Sequence, residues 1–112
     1  MILSSAFSIN MLPTTTASKA GFQPLSVEDA KALVAEAGIT RNAVNPRHES
    51  TAVLSEHLCG LPAEGGFLSI TGEEAEVEIL VMLPPRSMMS RSGTEVSIGH
   101  LEECQFFLVT VT

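Results

Sequence analysis

Apolar and polar positions change period several times along the chain, and each change predicts an element. Residues 1–3 form an apolar run suited to a first strand. In Ala6-Phe7-Ser8-Ile9-Asn10-Met11-Leu12-Pro13, small polar residues alternate with apolar ones, as in a strand end passing into a tight loop. Residues 14–20 read as a polar connector. Residues 22–25 read as a short edge strand, because Pro24 has no N–H to give to a ladder. The period then becomes helical. Ser26 is an N-cap with Asp29 three residues on, Val27, Ala30, Leu33, Val34 and Ala37 form an apolar stripe, and Gly38 follows it.

Residues 39–44 read as a loop or short strand. Asn45-Pro46 signals a second helix, whose first residue lies between there and Glu49. Val53, Leu54, His57 and Leu58 line one face of it, and Gly60 ends it. Residues 62–66 read as a turn, 67–71 as a strand and 72–75 as a tight turn. Val77, Ile79, Val81 and Leu83 then alternate through a strong strand pattern that Pro84-Pro85 stops. Residues 86–95 lack periodicity and read as a mobile loop in which Met88 and Met89 are exposed. A short turn or helix is expected within 95–103 and a closing strand over 106–111. The prediction is a single α+β (mixed α/β) domain over residues 1–112, with about five strands in a mixed sheet flanked by helices.

Composition narrows this picture. The chain has 112 residues, 45% of them hydrophobic, with no Trp or Tyr and five Phe, so aliphatic residues and Met must fill the core. Mean hydropathy is +0.28. A small domain this apolar is expected to hide part of its surface in an oligomer. No run approaches the length of a membrane span, and the first ten residues do not read as a signal peptide, so the expected compartment is the cytoplasm. The net charge of −7 argues against binding duplex nucleic acid, which calls for a broad basic face. It leaves room for a phosphate in one local pocket. Cys59 and Cys104 stand in no CxxC pair, and His57 and His100 are poorly spaced to complete a metal site with them. Buried reduced thiols and no metal or cofactor are expected.

Three polar clusters remain as candidate chemistry. One is Ser8 and Asn10. The second is Arg47, His48, Glu49, Ser50 and Thr51 at a helix start. The third is Arg86 and Arg91 after the proline break. The second has the best physics: a helix head offers free amides and partial positive charge, hydroxyls add donors, and an imidazole can give a proton to an alkoxide. Arg86 and Arg91 can clamp phosphate through paired N–H bonds. Taken one at a time, each cluster has an ordinary structural reading as a helix cap, a turn or a solvated loop.

Two stretches together change this balance. Ala6-Phe7-Ser8-Ile9-Asn10-Met11-Leu12, and His48-Glu49-Ser50-Thr51-Ala52 followed by Leu54-Ser55-Glu56-His57-Leu58-Cys59-Gly60, resemble the signature segments of the viral and prophage type III anti-CRISPR ring nucleases. The order of segments, an arginine after a strand (Arg86) and a final strand extend the resemblance over nearly the whole chain. It implies a homodimer that binds cyclic tetra-adenylate across its interface and cuts it without metal to linear di-adenylate. It further implies His48 as general acid, Ser8 and Asn10 as ligand- and ribose-holding residues, and Arg86 as a phosphate contact. The sequence departs from the family pattern at four places. Met89 stands where the family carries a glutamate, Ser5 where an asparagine is usual, Gly65-Gly66 where Asn-Arg is usual, and Arg47 where a glycine is usual. Arg47 and Arg91 are the candidates to restore the lost positive charge. Two alternatives stand beside the ring nuclease: a sponge that binds the cyclic oligoadenylate without cutting it, and a protein-interaction module on the same fold.

Overall fold

The computed structural model describes residues 1–5, 20–65, 77–89, 92 and 96–111. Its order is β1 (Ile2–Ser4), β2 (Ala20–Leu25), α1 (Val27–Ala37), β3 (Arg41–Asn42), α2 (Glu49–Cys59), β4 (Val77–Leu83), α3 (Arg86–Met89), a 3₁₀ turn (Ile98–Glu103) and β5 (Gln105–Val111). The strands form one five-stranded mixed sheet in the order β2-β5-β4-β1-β3. β1 runs parallel to both β3 and β4, while β5 is antiparallel to β4 and β2.

Strand register separates the two faces. Leu3 pairs with Leu80, and Met82 with Phe106, so these four point to one side. There they join Ala30 of α1, Ala52 and Leu54 of α2, Met88 of α3 and Leu101 in a single buried cluster. Each large side chain buried in this way contributes about 1.5–3 kcal/mol. The central strand β4 is buried on both faces, through Ile79 and Val81 as well as Leu80 and Met82. Strand β2 lies at the sheet edge with Phe22 exposed and Pro24 in the ladder, as its sequence predicts.

The helices follow their local signals. Ser26 Oγ accepts the Asp29 N–H at 3.0 Å and caps α1. Gly60 ends α2 in the left-handed conformation, and its N–H bonds the Glu56 carbonyl at 2.8 Å. Helix α2 starts at Glu49, the late end of the expected range, because Asn45-Pro46 close a separate turn. One expectation is corrected. Arg86–Met89 is a helical turn rather than loop, and Met88 is 1% exposed. The helical turn directs Met88 into the cluster shared with α2, which the aperiodic sequence around it does not reveal. The strand expected over 67–71 and the turn over 72–75 lie outside the described residues. Among the described residues no helix is long and apolar enough to cross a membrane.

Candidate functional site

The parallel strands β3, β1 and β4 lie side by side and point the same way, so their carboxyl ends share one edge of the sheet. Ligands of sheets covered by helices bind most often at such an edge, where helix heads and connecting turns converge. Here β1 leads into the chain that carries Ser8 and Asn10, β3 leads to Arg47 and His48, and β4 leads to Arg86.

The turn between β3 and α2 is closed by its own residues. The His48 N–H donates to the Asn45 carbonyl at 3.1 Å, and the Arg47 N–H donates to Asn45 Oδ1 at 3.0 Å. Asn45 at the first position and Pro46 at the second suit this geometry, since Pro presets φ and Asn accepts the amide two residues on. Arg47 and His48 therefore sit on an ordered turn with exposed side chains.

His48 occupies the N-cap position of α2, yet its side chain makes no capping bond. Its carbonyl accepts the Ala52 N–H at 2.8 Å, which closes the first turn. The amides of Ser50 and Thr51 thus have no acceptor within the helix, and the dipole adds partial positive charge at this end. Burial divides the cluster predicted from sequence. Arg47, His48 and Glu49 are exposed, whereas Ser50 is 0% and Thr51 2% exposed. Ser50 Oγ is buried with no hydrogen-bond partner among the described residues. Leaving such a hydroxyl unpaired costs about 1–3 kcal/mol.

Behind the turn lies a buried polar brace. Asn42 Nδ2 donates to Ser55 Oγ at 2.9 Å and to the Leu61 carbonyl at 3.0 Å, and Asn42 Oδ1 accepts the Val44 N–H at 3.2 Å. Ser55 Oγ in turn donates to the Ala52 carbonyl at 2.7 Å. The brace ties β3 to the middle of α2 and to the chain beyond it, fixing where the helix head stands. Sequence reading missed both Asn42 and Ser55. A polar residue beside an apolar pair (Ala43, Val44) is the one local sign of Asn42, and it does not point to its partners.

Arg86 is exposed at the start of α3, which packs on α2. Ser8, Asn10 and Arg91 lie outside the described residues. Met89 ends α3. Arg41, half-buried, donates from Nη2 to the Gly65 carbonyl at 3.3 Å and is thereby engaged in structure.

Other chemistry-bearing groups have structural roles. His100 Nδ1 accepts the Ser97 N–H at 2.9 Å and closes the 3₁₀ turn. Cys59 and Cys104 are free thiols. Burial pushes the Cys59 thiol up, and burial followed by the Glu103 charge pushes Cys104 up to about 11. Both cysteines therefore stay protonated at neutral pH and are poor nucleophiles. An open groove of about 340 Å³ runs past Leu25, Ser26, Cys104 and Phe106. No cation lines it among the described residues, and the Ser26 hydroxyl already caps α1. Among the described residues no group of three His, Cys, Asp or Glu is arranged to hold a metal ion.

No protein-family model and no curated protein matches the chain. Among solved structures it is similar to B116 of Sulfolobus turreted icosahedral virus, with a TM-score of 0.66, 21% sequence identity and 96% of each chain covered. The five-stranded mixed sheet with its helices is thus the fold that this chain shares with the viral protein B116.

Proposed function

We propose that the protein binds a cyclic oligoadenylate, cyclic tetra-adenylate in the first instance, at the carboxyl edge of β3, β1 and β4, and that it cleaves the ring. The observation that carries this reading is the head of α2. Its N-cap side chain makes no capping bond, it holds at Ser50 a buried hydroxyl without a partner among the described residues, and it is flanked by the exposed Arg47 and His48. Helix-head amides that have no acceptor within the helix are suited to phosphate oxygens. The resemblance of the His48-Glu49-Ser50-Thr51 and Ala6–Leu12 segments to ring nucleases supplies the substrate class. The likeness of fold to a virus protein fits a viral or prophage origin. The proposed role against type III CRISPR signalling rests on the sequence resemblance alone.

In the proposed reaction a ribose 2′-hydroxyl attacks the adjacent phosphorus. The phosphorus–O5′ bond breaks, and the 2′,3′-cyclic phosphate forms. The 2′-hydroxyl proton passes to solvent, and His48 gives a proton to the departing O5′. Arg47, Arg86 and Arg91 would neutralise phosphate charge, and Ser8 and Asn10 would hold the ribose so that the attacking and leaving oxygens stand in line. A homodimer would present each of these residues twice to a two-fold ring. Met89, in place of the family's glutamate, favours a second reading in which the ring is bound and sequestered without being cut.

Single-turnover incubation with labelled cyclic tetra-adenylate in EDTA, followed by separation of products, tests the reaction. Linear di-adenylate with a 2′,3′-cyclic phosphate is expected from the wild type, slowed about 10²–10⁴-fold in His48→Ala. Intact ring recovered from a tight complex overturns cleavage and leaves the sponge. Absence of binding overturns both readings and leaves a protein-interaction module.

A further inference from the structure

Gly65 lies outside every candidate cluster, yet it is the residue seated against the turn that presents His48. It is buried, with φ at +68°. A Cβ placed there would stand 2.9 Å from Pro46 Cδ and 3.6 Å from Asn45 Cα. Pro46 Cδ is bonded to the backbone nitrogen, so it cannot swing aside as the end of a flexible side chain would; relief requires the turn itself to move. Gly65 is also held from behind. Its carbonyl accepts Arg41 Nη2 at 3.3 Å, and the neighbouring Glu64 N–H donates to the Asn42 carbonyl at 3.0 Å. The strap over residues 64–65 is thus fastened to β3 and bears on Asn45-Pro46 with no side chain between them.

We propose that Gly65 is a positioning residue of the site: by bearing directly on Pro46 it sets where the Asn45–His48 turn places Arg47 and His48. The role of that placement in binding rests on the function proposed above, whereas the mechanical coupling does not. The resemblance drawn from sequence places Gly65-Gly66 where ring nucleases carry Asn-Arg. A side chain at 65 would collide with Pro46, so the glycine here and the proline nineteen positions earlier are coupled choices.

The test is a double-mutant cycle of Gly65→Ala and Pro46→Ala, read by the His48 ring resonances of the ligand-free protein, by thermal unfolding and by titration with cyclic tetra-adenylate. Alanine at a positive φ is strained whether or not Pro46 is present, so a loss of thermal stability is expected in both backgrounds, the larger where the proline ring adds its collision. The collision requires the proline ring. Gly65→Ala should therefore move the His48 ring resonances and weaken ligand binding about tenfold when Pro46 is present. In the Pro46→Ala background the same substitution should leave those resonances in place and change binding less than about threefold. If Gly65→Ala does not fold, Gly65→Asn, which tolerates this φ better and adds the same Cβ, replaces it. Equal resonance shifts in both backgrounds, or none in either, overturn the proposal. A wild type that fails to bind the ring overturns the function proposed above, while the ring resonances still decide whether Gly65 positions His48.

Discussion

At the scale of single residues, Asn42 shows how much of a site can be held by one side chain that never reaches it. It is 1% exposed, and both ends of its amide are used. Asn42→Ala leaves the Leu61 carbonyl and the Val44 N–H short of a partner, at a cost of about 3 kcal/mol in urea unfolding. An unchanged midpoint would mean that water or a backbone shift replaces the brace. The partners Ser55 and Leu61 lie 13 and 19 residues away, so the loop or short strand expected over 39–44 gives no sign of what this asparagine holds. The burial of Ser50 and Thr51 was hidden for a related reason: hydroxyl residues at a helix start usually face water or cap the helix. Cys104 carries a pH signature. Its thiol is held up at about 11 against 9.0 for the ordinary group, so the folded protein keeps this proton after the unfolded chain has lost it. Its contribution to stability is complete below the ordinary value and falls as pH rises through that of the folded state. Denaturation midpoints across that alkaline range should decline, and Cys104→Ala should flatten the decline. An equally steep decline in the variant would assign it to other groups.

At the scale of elements, α1 and α2 are helices of the same length that begin in opposite ways. Helix α1 is capped by Ser26, and Ser26→Ala should cost about 1 kcal/mol. Helix α2 places His48 where a cap belongs and forgoes the bond. His48→Ser should raise stability by about 0.5–1 kcal/mol while abolishing the proposed proton transfer, the exchange expected where function occupies a structural position. Thermal unfolding of both variants checks this, and a His48→Ser protein no more stable than wild type would show that α2 lacks nothing at its head. The apolar run of β4 was legible because both its faces are buried. Helix α1 buries Ala30 alone, and α2 buries Ser50, Thr51, Ala52, Leu54 and Ser55 while His57, expected on its apolar face, is exposed. Strand β3 is a two-residue strand at the edge beside β1, too short to carry a period. Helix α3 is four residues long and shows in the buried Met88 alone.

At the scale of the molecule, the parallel arrangement of β3, β1 and β4 sends the chain out of three strands, far apart in sequence, at one edge. Sequence reading found the segments by their chemistry and by resemblance. Topology explains why those that are described, Arg47-His48 and Arg86, leave the sheet at the same side. A net charge of −7 makes such local placement decisive, since the protein as a whole repels an anion. This edge is the proposed seat of a cyclic oligoadenylate. The most direct test is a titration of isotope-labelled protein with cyclic tetra-adenylate, followed by backbone amide resonances. Saturable shifts concentrated at Arg47, His48, Ser50, Thr51 and Arg86 are expected. No shifts, or shifts confined to the groove beside Leu25, Ser26 and Cys104, would contradict it.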